Sequence, residues 1–228
     1  MPTCCTPAIA RYLLVAVLCI GGCATVARER FYSLADAVQP LPEEAARPPK
    51  GQRTGYVVQV GPVSVPELVD RAQLVVRDGP HEVAILEQHR WAATLASDVS
   101  HTLANAIDRA LTGGAALPYE TGQAVTREPD VVLAVAVLRF DTLVGSAAAV
   151  DDDIAWSARC RGGSAATSGE KNGVEKIHLP VAEHGHEAAA YSALVAAHAR
   201  ALAAAAAAMA PAIEAIGPSC AGSRGSAR

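Results

Sequence analysis

Val131-Val132-Leu133-Ala134-Val135-Ala136-Val137-Leu138 is an unbroken apolar run with four valines. β-Branched side chains suit a pleated, extended backbone. A strand apolar on both faces belongs in the middle of a sheet, covered on each side. Downstream, Ile154, Trp156, Ala158 and Cys160 alternate with Ala155, Ser157, Arg159 and Arg161. That period of two marks a half-buried strand. A Gly-, Ser- and Lys-rich loop with Asn172-Gly173 then leads to residues 174–181, where Ile177, Leu179 and Val181 share one face and Lys176 and His178 the other. The two segments read as a hairpin with a long tip.

Upstream, Leu95, Val99, Leu103, Ala106, Ile107 and Ala110 recur at spacings of three and four, which predicts an amphipathic helix. Its polar side carries Asp98, His101, Asn105 and Asp108, and Gly113-Gly114 ends it. Before it, Gln73–Arg77 and Glu82–Glu87 flank Asp78-Gly79-Pro80, a hairpin signal. Residues 56–63 are β-branched and bounded by turn formers, hence a strand. Phe31-Tyr32-Ser33-Leu34 forms an early strand, and the proline-rich stretch 35–54 an extended loop. A last helix runs from about Glu187 to Met209, with Tyr191, Leu194, Val195, His198, Leu202 and Met209 on one stripe. Pro211 bends or ends it. Residues 217–228 read as a disordered tail. The order of strands, helix, strands, helix predicts an α+β fold, a mixed or antiparallel sheet with two main helices packed on one face as a sandwich.

The N-terminus supplies an address. Arg11 precedes the apolar run Tyr12–Cys19, and Ile20-Gly21-Gly22-Cys23 closes it. A basic start, an apolar core of roughly ten residues and small residues at the cut describe a secretory signal peptide. The core is too short to span a bilayer, which takes about 20 apolar residues. An aliphatic residue, two glycines and a cysteine resemble the lipobox of bacterial lipoproteins. That resemblance implies a signal peptide over 1–22, diacylglycerol and an N-acyl chain on Cys23, and a short tether over 23–30 before a domain over 31–216. Ala24, where an aspartate would retain such a protein at the inner membrane, implies the periplasmic face of the outer membrane. Ala203–Ala208 is apolar but short, so the mature protein is expected to be anchored and not to span.

Net charge is −4, which offers no electrostatic footprint for nucleic acid. Cys4, Cys5 and Cys19 leave with the leader and Cys23 is acylated, so Cys160 and Cys220 remain. An oxidising compartment permits a disulfide between them, provided their Cα atoms come within about 7 Å. No metal site or cofactor is expected. His184-Gly185-His186 supplies two ligands where zinc needs three or four. Asp151-Asp152-Asp153 lacks the glycine and distal glutamate of a calcium loop and reads as a solvated turn. His198 on the apolar stripe reads as a satisfied core or interface histidine. No Gly-x-Ser-x-Gly elbow and no phosphate-binding Gly-x4-Gly-Lys-Ser/Thr loop occurs, so catalytic residues are expected to be absent.

Three segments carry a second resemblance. Phe31-Tyr32-Ser33-Leu34 follows the lipobox. Pro66-Glu67-Leu68-Val69-Asp70-Arg71-Ala72-Gln73-Leu74-Val75 comes next, and Glu87-Gln88-His89-Arg90-Trp91-Ala92 leads into the helix. Their order and spacing, with Tyr191–Val195 in the last helix, resemble the ABC-type transport auxiliary lipoprotein (PqiC-like) family. Ala72 stands where that family has proline, and Ala93-Thr94 where it has Glu-Pro. The resemblance implies a non-enzymatic periplasmic lipoprotein working with an MCE-domain bridging protein and an inner-membrane permease or ABC transporter in intermembrane lipid transport. Docking the bridge at the outer membrane is the implied role, and a homo-oligomer is compatible with it. A lipoprotein that itself carries lipid in an apolar cavity is the alternative, and a periplasmic hydrolase a more distant one. Arg90 and Trp91 have two readings. Trp91 caps the core while Arg90 pairs with Glu87, or the two form a partner-binding anchor, since Trp and Arg are enriched at interface hot spots.

Overall fold

The computed structural model describes residues 28–34, 55–119, 128–162, 169–182 and 187–223. Within them lie β1 (Arg30–Tyr32), β2 (Tyr56–Ser64), β3 (Gln73–Arg77), β4 (Val83–Trp91), α1 (Leu95–Ala110), β5 (Gly114–Pro118), β6 (Val131–Leu143), β7 (Ala149–Cys160), β8 (Lys171–Pro180) and α2 (Glu187–Ser223). The expected leader 1–22, Cys23, the expected loop 35–54 and His184 and His186 lie outside the described residues.

The apolar run at 131–138 is the first part of β6, and β6 organises the sheet. The antiparallel partner β7 follows one edge of β6 over its whole length, from Val131↔Cys160 to Leu143↔Ala149. The other edge is shared by two parallel strands, β2 along the first half and β3 at Leu143. From there the sheet extends through β2 to β5, through β3 and β4 to β1, and through β7 to β8. Among the described residues it is a mixed sheet of eight strands with two helices, an α+β fold. Neither β1 nor β5 pairs with a sequence neighbour: β1 lies parallel to the end of β4 and β5 parallel to β2.

Val131, Leu133, Val135 and Val137 face the helices together with Ala158, Trp156 and Ile154 of β7. A bulge between Val137 and Arg139 inserts one residue, Leu138. Such an insertion resets the alternation, so Phe140 and Thr142 continue the buried face. The opposite face is not covered as the sequence suggests. Val132, Ala134 and Ala136 are half-buried there, and Leu138 is 58% exposed. The reason is topological: both helices contact one another and share one face of the sheet, where the main core lies.

α1 buries Leu95, Val99, Leu103 and Ile107, as its spacing predicts. Its polar side is not a solvent face, however. Asp98 and Asp108 are buried. Asp98 accepts the backbone N–H of Leu34, Asp108 that of Ala116, and Ser100 donates to the Val60 carbonyl at 2.7 Å. Buried backbone groups need partners, and these side chains supply them where the sheet ladder is irregular. α1 stops at Ala110 with Leu111 extended. Gly114 opens β5, because its missing Cβ makes room for the Tyr56 ring.

α2 continues well past the expected end. It has 37 residues and runs through Pro211 and Pro218 to Ser223, so residues 217–223 belong to the fold and not to a disordered tail. The apolar stripe simply goes on: Met209, Ile213, Ile216 and Cys220 are all buried. Both prolines are exposed and seven residues apart, on one solvent-facing side. Gly217, expected in the tail, is a close-approach residue, since a Cβ there would lie 2.5 Å from the Tyr56 ring. Tyr56 is thus clamped between Gly114 and Gly217, and burial pushes its phenol up to about 12, reinforced by Glu214. Cys220 is joined to Cys160 at the end of β7 by a disulfide, with the Cα atoms 5.1 Å apart. By length and composition α2 could cross a membrane, but its buried side chains form the domain core.

Glu214 of α2 accepts the Thr112 N–H at 2.6 Å and its hydroxyl at 2.7 Å, just beyond the end of α1. These bonds hold its carboxyl below the ordinary glutamate range. A lowered value stabilises the folded state above the unfolded glutamate's titration near pH 4.3, and that contribution is lost as pH falls through the folded value. Glu214→Ala is expected to cost about 1 kcal/mol at pH 7 after allowing for solvent screening, and almost nothing near pH 3. Denaturant titrations at the two pH values check this.

Candidate functional site

The end of the domain nearest the N-terminus is built by β1 lying beside the last residues of β4. The register is Arg30↔His89, Phe31↔Arg90 and Tyr32↔Trp91. Alternation along β4 sends the two residues singled out in the sequence to opposite sides. Trp91 is 7% exposed and meets Phe140 edge to face, with ring centroids 6.2 Å apart; it is a core side chain. Arg90 stays half-buried at the surface, and its partner is Glu29 at 3.2 Å. Glu87, expected to pair with it, accepts instead from Gln73. The Tyr32 hydroxyl and His89 Nδ1 are hydrogen-bonded at 2.7 Å, and the His89 ring packs on Tyr191 of α2. β1, β4 and α2 are therefore locked together where the chain emerges. Beside them is a cleft of about 410 Å3 lined by Arg28, Glu29, Arg30, Phe31, Tyr32 and Ser192.

A second polar constellation lies in the interior. His198 of α2 has Nδ1 at 2.9 and 3.1 Å from the two Asp152 oxygens, and Nε2 at 2.9 Å from the Thr142 hydroxyl. The Phe140 ring stacks on the imidazole at 3.8 Å. A hydroxyl, an imidazole and a carboxylate in this order is the arrangement of an activated nucleophile. Here His198 is 1% and Asp152 0% exposed, and Thr142 is buried, so no substrate reaches the hydroxyl. The constellation is a polar clamp between α2 and the sheet. Burial pushes the Asp152 carboxyl above the ordinary range, opposed by the His198 imidazole. The run Asp151–Asp153 is accordingly neither a turn nor a cation loop but part of β7. Asp152 faces the core, while Asp151 meets Arg139 at 2.8 Å and His178 at 2.6 Å. Among the described residues no group of three His, Cys, Asp or Glu is placed to hold a metal ion.

On the open sheet face, Asp141 binds Arg77 and Arg139, each at 2.7 Å. Burial works against its carboxylate, but the two guanidinium groups prevail and hold it below the ordinary range. A shallow groove of about 440 Å3 is lined by Pro62, Val63, Ala134, Ala136, Ala155 and Trp156 among others. Sequence reasoning found neither groove nor clamp, since both depend on which residues of distant strands become neighbours. The visible signals were small residues on one face of β6 and a histidine on an apolar stripe.

The fold has solved relatives. A crystal structure of an uncharacterized protein superposes with a TM-score of 0.57 at 18% identity, covering 82% of this chain and 99% of its own. Protein XCC0632 from Xanthomonas campestris gives a TM-score of 0.53, also at 18% identity, covering 79% of this chain and 92% of its own. At such identity the likeness concerns the fold. Among curated proteins, no sequence matches. The sequence profile of one family does match, over residues 32–210, from β1 to beyond the His198 clamp in α2. That continuous match assigns the chain to the family of ABC-type transport auxiliary lipoprotein components.

Proposed function

We propose that the protein is an accessory lipoprotein of an envelope-spanning lipid transport system, held by acylated Cys23 at the periplasmic face of the outer membrane. In this role it docks an MCE-domain bridging protein that connects to an inner-membrane permease or ABC transporter. It acts by binding and not by catalysis. Family membership over residues 32–210 carries the reading. The lipobox at Ile20–Cys23 supports the anchor, and the Thr142–His198–Asp152 set described above is sealed in the core. Arg90, at the surface beside β1, is the candidate for partner contact.

In cells fed labelled palmitate, the full chain is expected to take up label and fractionate with the outer membrane, and Cys23→Ser to abolish both. Pull-down of the acylated protein is expected to recover an MCE-domain protein, with recovery lowered by Arg90→Ala. A prey list without one would overturn the docking role. The groove on the open sheet face favours a second reading, lipid carriage by the domain itself. Its opening to solvent leaves one side of an acyl chain uncovered, which is why docking is preferred. Phospholipid retained stoichiometrically through solvent extraction of the unacylated protein would reverse that preference.

A further inference from the structure

The cleft beside β1 combines three features that point to one kind of partner. Arg28 and Arg30 are exposed, and neither has an ion-pair partner among the described residues. Arg90 adds a third guanidinium, and among the described residues Glu29 is the carboxylate at the cleft, so the charge of these described groups is positive on a chain whose net charge is −4. Phe31, which follows Arg30 and lies opposite Arg90 in the β1–β4 pair, is 61% exposed, an apolar side chain of the kind that settles at a membrane interface. Arg28 lies only five positions after Cys23. At about 3.6 Å per extended residue these steps span at most ~18 Å. If the acyl chains are inserted, the cleft cannot leave the neighbourhood of the headgroups. An approach within the screening length of about 8 Å requires only that the tether not be fully extended.

We propose that Arg28, Arg30 and Phe31 form a membrane-contact patch that binds anionic phospholipid, the guanidinium groups holding headgroup phosphates and Phe31 entering the interface. This rests on the lipoprotein reading for its geometry. The patch gives the anchor a direction: acyl chains alone fix the distance to the bilayer, whereas a docked patch also fixes which end of the sheet faces away.

The test uses the mature polypeptide, residues 23–228, with Cys23→Ser so that acylation does not mask the patch. Every described core residue lies between Tyr32 and Cys220, so this chain contains the whole core. Sedimentation with vesicles of phosphatidylcholine and phosphatidylglycerol (7:3) is compared with pure phosphatidylcholine at low ionic strength. Binding is expected to favour the anionic vesicles and to weaken with salt. Each basic residue near such a surface contributes about fivefold, so Arg28→Ala/Arg30→Ala is expected to weaken binding about 25-fold on anionic vesicles only. Phe31→Ser is expected to weaken it about tenfold. Unchanged thermal midpoints show that the variants are folded. Equal binding to both vesicles, or a double variant that binds as the parent does, overturns the patch. Palmitate labelling of the full chain reads the anchor separately, so a labelled protein without vesicle binding refutes the patch alone.

Discussion

His198→Ala is expected to destabilise the domain by about 3–5 kcal/mol at pH 7, the range for breaking a buried polar pair by removing one partner. The loss comes from three places. The Asp152 carboxyl, with no exposed surface, loses both contacts to Nδ1. The Thr142 hydroxyl loses its bond to Nε2, and the face of Phe140 loses its stacking partner. Against a usual total of about 5–15 kcal/mol, that is a large share. Replacing all three polar groups at once, Thr142→Val/Asp152→Leu/His198→Leu, is expected to recover most of it, because desolvation then no longer opposes folding. The pH dependence follows from Asp152. Its folded-state value is raised by burial. The advantage of its neutral form is therefore complete below the unfolded aspartate's titration near pH 3.9 and is lost as pH rises through the higher folded value. In the wild type the imidazole counteracts that loss, so the cost of His198→Ala should be smaller at pH 4 than at pH 7. Denaturant titrations at both pH values decide this, and a cost below about 1 kcal/mol at pH 7 would show that the clamp does not hold α2.

Cys160→Ser/Cys220→Ser is expected to cost about 4 kcal/mol, nearly as much. The bridge closes a loop with a sequence separation of 60. In the chain-entropy account, loops of that length lose about 4 kcal/mol of denatured-state freedom when cross-linked. The effect should appear as a lower denaturation midpoint, together with a larger m-value as the unfolded chain expands. It should also be localised. Residues 217–223 are the end of α2, joined to the sheet through Cys220, so their amides are expected to exchange much faster in the variant than those around Leu202. Thiol titration of the denatured, unreduced mature protein should find neither Cys160 nor Cys220 reactive; two reactive thiols would refute the bridge.

All the elements but β5 were legible because local chemistry specifies them; Gly114-Ala115-Ala116-Leu117-Pro118 carries no β-branched residue to mark a strand. The β3–β4 hairpin follows from Asp78-Gly79-Pro80 between β-branched runs, and α1 from its spacing of three and four. β7 follows from its strict alternation. Where the reading went astray, a residue's meaning depended on a distant neighbour. Pro211 looks like the end of a helix and Gly217 like part of a disordered tail until Tyr56 packs where a Gly217 side chain would sit. Asp151–Asp153 looks like a solvated turn until β6 supplies Phe140, Thr142 and Arg139 around it. Asp98 and Asp108 look like a solvent face until the backbone of residue 34 and of β5 turns out to need acceptors.

The candidate sites divide in the same way. Cys23 is read from four adjacent residues, and no fold is needed to interpret it. Arg90 and Trp91 are neighbours in sequence, yet only the pairing of β4 with β1 and the packing on Phe140 decide that one is surface and the other core. The sequence by itself determined the identity and order of the elements other than β5, the α+β class and the expectation of an anchored chain, since periodicity, turn chemistry and a lipobox are local. Tertiary structure alone decided the open sheet face, the Thr142–Asp152–His198 clamp, the reach of α2 to Ser223 and the cationic cleft beside β1. Each of these is a contact between segments far apart along the chain, and such contacts are set by how β6 distributes its two edges and one covered face.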